Sequence, residues 1–77
     1  MNANRRKRLN EVAVKLRELT EVVNDIGGEE QEAFDNMPEQ LQESEKGERM
    51  EDIIDQLEDI SDSLEDVVSS IEDIIIS

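Results

Sequence analysis

Apolar residues recur along the chain at alternating spacings of three and four, the period of one helix face. Leu9, Val12, Leu16, Leu19, Val23 and Ile26 keep this spacing through the first third. Met50, Ile53, Leu57, Ile60, Leu64, Val67, Ile71 and Ile74 keep it to the end. No stretch alternates strictly between apolar and polar residues, as a half-buried strand does. The pattern predicts an all-α protein with a/d heptads, of the coiled-coil kind, in both segments.

The second segment is also an internal repeat. Cut every seven residues from Met50, it reads MEDIIDQ, LEDISDS, LEDVVSS, IEDIIIS. Each heptad has an apolar residue at a, Glu at b, Asp at c and Ile or Val at d. Position e carries Ile54, Ser61, Val68 and Ile75, so the stripe is wider than a two-stranded seam requires. That width suits a helix facing more than one neighbour in a bundle. Ile54, Val68 and Ile75, with Ile76, are expected to stay partly exposed in a lone hairpin. A second copy completing a four-helix bundle would cover them, as would a partner's apolar groove.

Between the segments, Asn36, Pro38 and Gly47 are turn and breaker residues, and Pro38 disfavours helical geometry at Met37. One domain, 1–77, is expected, with a first helix over about 4–34, a loop over about 35–44 and a second helix over about 45–76. Gly27 and Gly28 are a weak point in the first helix, since each costs about 1 kcal/mol relative to Ala. They either end that helix or only weaken it; Ala33 continues the d phase beyond them. Two helices joined by a short loop pack antiparallel. Arg5, Arg6, Lys7 and Arg8 would then meet Glu72, Asp73 and the negative end of the second helix.

Composition narrows the chemistry. The 77 residues hold 22 Asp plus Glu against 8 Lys plus Arg, a net charge of −14, with no Cys, His, Trp or Tyr. There is no thiol nucleophile, zinc-thiolate site or imidazole ligand. No D-x-[DN]-x-[DN]-G loop is present, so no metal site and no cofactor are expected. No nucleophile has a base beside it, and a heptad surface offers no pocket that would separate two carboxylates into acid and base. An enzyme is not expected. No apolar run approaches the roughly 20 residues that span a bilayer, and no signal-peptide stretch follows the basic N-terminus. A cytoplasmic protein is the expectation. A core this small and poor in aromatics favours completion by self-association, so a homo-oligomer is expected.

Residues 29–59, with AFDNMPE from Ala33 to Glu39, SEKGE from Ser44 to Glu48 and the LED heptads, resemble short acidic proteins of Gram-positive phages and prophages. The resemblance implies a helical hairpin of phage or prophage origin in a bacterial host. It carries over no activity and no functional residue. The Gly27-Gly28 pair departs from a more continuous first helix.

Charge is polarised. Residues 1–26 are net +2, residues 27–77 are net −16, and no cation follows Arg49. From Glu51 to Asp73 the carboxylates amount to roughly one per 4 Å of helix axis. Two such helices together approach the roughly 1.7 Å per charge of duplex DNA. A solvated bundle face is the plain explanation of such a run. Against it stand the like-charged i,i+4 pairs Glu48–Asp52, Glu51–Asp55, Asp55–Asp59, Glu58–Asp62 and Asp62–Asp66. Each costs about 0.2–0.5 kcal/mol, and mixed signs would serve solubility better. Glu51, Asp52, Asp55, Glu58, Asp59, Asp62, Glu65 and Asp66 are therefore expected to supply a field that imitates a nucleic-acid backbone. The partner would be a nucleic-acid-binding host or defence protein with a basic surface. A structural, oligomerising bundle is the alternative. Four N-terminal cations without aromatic neighbours give nucleic acid or a membrane little to hold.

Overall fold

The computed structural model describes residues 1–77 and contains helices but no strands. The order is α1 (Ala3–Asp35), α2 (Glu39–Gln42) and α3 (Glu45–Ile76). Two capping side chains set the starts of the long helices. Asn2 Oδ1 accepts the Arg5 N–H at 2.9 Å, and Ser44 Oγ accepts the Gly47 N–H at 3.4 Å. Glu45 and Glu48 in the first turn of α3 complement the positive end of its dipole. α1 runs through Gly27 and Gly28 without a break.

The connection carries one turn of helix where the breaker residues suggested only loop. Pro38 starts α2, and its carbonyl accepts the Leu41 and Gln42 N–H groups at 2.9 and 3.1 Å. Proline suits a helix start because it lacks the N–H that would go unpaired there, and Glu, Gln and Leu are good helix formers. Gln42 then donates its side-chain N–H to the Phe34 carbonyl at 2.9 Å, tying α2 to the end of α1. On the other side, Gly47 packs so tightly under α2 that a Cβ there would collide with the Leu41 and Gln42 backbone.

α1 and α3 lie side by side and run in opposite directions, with Arg6 beside Ser77, Asn24 beside Ser61 and Gly27 beside Leu57. The pair measures 58 × 14 × 12 Å. Its radius of gyration is 17.4 Å, against about 11.5 Å for a compact chain of this length. The molecule is a rod one helix pair thick.

The seam between the helices is built from a and e positions. On α1 it alternates Leu9, Ala13, Leu16, Thr20, Val23 and Gly27, and on α3 Ile54, Leu57, Ser61, Leu64, Val68 and Ile71. The a/d reading of α1 placed Val12, Leu19 and Ile26 inside, and they point outward instead. The physical reason is size. Ala13, Thr20 and Gly27 recur every seven residues and let the backbones approach, whereas Val, Leu and Ile at d would hold them apart. Ala13 is fully enclosed, and Thr20, Ser61 and Val68 are each 6% exposed. The two buried hydroxyls are satisfied: Thr20 donates to the Leu16 carbonyl at 2.7 Å and Ser61 to Asn24 Oδ1 at 2.6 Å.

Ile54, Val68 and Ile75, expected to be left over for a second copy, stand in this seam, Val68 buried and the others half-buried. Most of the apolar residues left over are at d, with Val14, Val22 and Ile76 of the long helices exposed elsewhere. Val12, Leu19 and Ile26 on α1 and Ile53, Ile60, Val67 and Ile74 on α3 remain 40–57% exposed. No large side chain anywhere is fully buried.

Candidate functional site

Successive residues of a helix turn by about 100°. On α3 the seam lies between a and e, so b and f fall to one side, c points away from α1, and d and g fall to the other side. The carboxylates follow this division. Glu51, Glu58, Glu65 and Glu72 are at b, Asp52, Asp59, Asp66 and Asp73 at c, and Asp55 and Asp62 at f. From Met50 to Ser77 no acid occupies a, d, e or g.

The eight candidate carboxylates are brought together as one band along the b/f face and outer edge of α3, all exposed. Three in each of the first two heptads and two in each of the last two is roughly one per 4 Å of axis, near the roughly 3.4 Å between phosphates along one strand of duplex DNA. α1 does not double the band. Its b positions on the same face are Asn10, Arg17, Asn24 and Gln31, and its f and c positions add Glu21 and Asp35 to that face and Glu11, Glu18, Asp25 and Glu32 to the outer edge. The shallow depression between the helices is lined by Arg17, Glu21, Glu65 and Glu72 among others. The α3 band by itself therefore approaches the linear charge of a single strand.

Little of this charge is neutralised internally. The one ion pair joins Arg17 to Glu72, with both side chains about half exposed; such pairs contribute little. Arg17 takes the carboxylate that the sequence assigned to the N-terminal cluster. Of that cluster, Arg6 donates to the Ser77 carbonyl at 3.4 Å, at the negative end of α3. None of Glu51, Asp52, Asp55, Glu58, Asp59, Asp62, Glu65 and Asp66 is paired with a cation. No three carboxylates converge closely enough to hold a metal ion.

The opposite face is apolar. The d column is displaced from the seam in the same rotational sense on both helices. Because the helices run in opposite directions, both columns fall on one face of the pair. On α3 this face is edged by the g residues Gln56, Ser63 and Ser70, and on α1 by Arg8, Lys15, Val22 and Glu29. Reading every d as seam concealed this face. The signal that marks it is the series Ala13, Thr20 and Gly27, small residues seven apart on α1.

The faces define an all-α protein of two long packed helices with acidic and apolar surfaces on opposite sides. No protein-family model, curated protein or solved structure matches the chain. No helix is long and apolar enough to cross a membrane.

Proposed function

We propose that the protein is a phage or prophage interaction protein, a helical hairpin that self-associates into a four-helix bundle and acts by binding rather than by catalysis. Its acidic band docks on the basic surface of a nucleic-acid-binding host or defence protein and keeps nucleic acid off that surface. The observation that carries this reading is the exposed carboxylate row at strand-like spacing, with no internal countercharge along residues 51–66. The field of such a row attracts a basic groove over several ångströms and is screened by salt. The like-charge repulsion within α3 is tolerated because the field is used.

Capture from nuclease-treated bacterial lysate on immobilised protein, eluted with a salt gradient, tests this reading. One or a few nucleic-acid-binding proteins should be retained and released at moderate salt. Replacing Asp55, Glu58, Asp59 and Asp62 with Asn or Gln should abolish their retention. Broad retention of basic proteins, equal for both forms, would overturn it. The second reading, a structural bundle module, is favoured by the exposed apolar face and the lack of an enclosed core. Such a module would lose nothing on neutralisation.

A further inference from the structure

We infer that the apolar face carrying Val12, Leu19 and Ile26 of α1 and Ile53, Ile60 and Val67 of α3 is closed by the same face of a second copy, with the two turns at opposite ends. This rests on the proposal of self-association and identifies the surface that performs it. It displaces the Ile54, Val68 and Ile75 column, which α1 already covers.

Three observations select a second copy as the occupant. The first is charge. A chain of net −14 repels its own kind unless the meeting surfaces exclude acids. On α3 every acid after Met50 is at b, c or f, so the d/g side is edged by Gln56, Ser63 and Ser70 alone. A basic partner would gain from acids at this rim; only an acidic partner needs them gone.

Size is the second. The whole side of the helix pair, 58 Å by 14 Å, amounts to about 800 Å², the amount each partner contributes to a standard stable interface, and the apolar columns run along about half its length. The third is the width of the apolar stripe. Residue a lies between d and e on each α3 heptad, so a helix touching α1 through a and e presents d to a second neighbour, as in a four-helix bundle.

Polarity follows from the α1 rim. Arg8 and Lys15 flank the face at one end, and Glu29, its one acidic rim residue on this helix, lies toward the turn. With the turns at opposite ends, α1 lies along α1 of the second copy. Glu29 of each then comes to the Lys15 end of the other. The two-fold axis passes near Ser63, midway along the d column of α3.

Sedimentation equilibrium of the intact protein comes first. A dimer is expected, and a monomer at submillimolar concentration overturns self-association itself. The chain has no cysteine, so Ser63→Cys introduces a single thiol at the axis without altering an apolar contact. Mild oxidation should convert it quantitatively to a disulfide-linked dimer with unchanged helicity. A dimer that fails to cross-link overturns the face or its polarity while leaving self-association standing. The rim supplies an independent readout. Lys15→Glu or Glu29→Lys should each weaken association roughly five-fold, as loss of two exposed ion pairs implies, and the double variant should restore it. No rescue overturns the opposed arrangement.

Discussion

Gly27 of α1 stands against Leu57 of α3, whose Cβ lies 3.8 Å from the point an alanine methyl at residue 27 would occupy. That is ordinary van der Waals contact, so the seam has room for a methyl group there. Gly28, one residue on, faces open space. The glycine pair thus combines a packing position with a position that only weakens the helix.

Gly28→Ala should stabilise the fold by about 0.5–1 kcal/mol, because the helix gains propensity and nothing is displaced. Gly27→Ala should give a similar gain, and Gly27→Leu should reverse it by about 1–3 kcal/mol through overpacking. Thermal melts followed by circular dichroism at one fixed protein concentration would read these changes as about 4–8 °C per kcal/mol. Destabilisation by Gly28→Ala would mean that α1 does not run through the pair.

Gly47 has the opposite character. A Cβ there meets the backbone of Leu41 and Gln42, which cannot swing aside as a side chain can. Gly47→Ala should cost about 1–3 kcal/mol and loosen the connection first. Faster hydrogen exchange of the Leu41 and Gln42 amides, which donate to Pro38, is the expected local sign. Exchange unchanged there, with stability retained, would contradict the packing described.

Salt should stabilise the protein. With a net charge of −14 and a single half-exposed ion pair, screening relieves more repulsion than attraction. The melting temperature should climb between low and moderate NaCl. A fall over that range would mean that attractive pairs dominate the fold.

Neutralising Asp55, Glu58, Asp59 and Asp62 should raise stability while removing the proposed binding. The change abolishes the i,i+4 repulsions Glu51–Asp55, Asp55–Asp59, Glu58–Asp62 and Asp62–Asp66, for roughly 1–2 kcal/mol in all. A more stable variant that no longer captures its partner would separate the field from the fold. A less stable one would assign the carboxylates a structural role.

The period of the apolar residues by itself determined that the chain is helical, because only a helix returns a side chain to the same face every three or four positions. It also determined how the α3 charges stand relative to one another, since Glu at b and Asp at c keep their angle about the helix axis whatever the partner. The pairing face was decided only by the tertiary structure. Positions a with d, and a with e, both repeat at three and four, and α3 carries apolar residues at all three. Leu19 and Ile60 therefore read as core and proved exposed, whereas Thr20 and Ser61 proved buried. The choice lay in the opposing helix, where Ala13, Thr20 and Gly27 permit a close approach that no pattern within α3 reveals. The partner of Glu72 was decided the same way. Charge alone matched it to Arg5 through Arg8, but the register of the packed helices set Arg17 beside it.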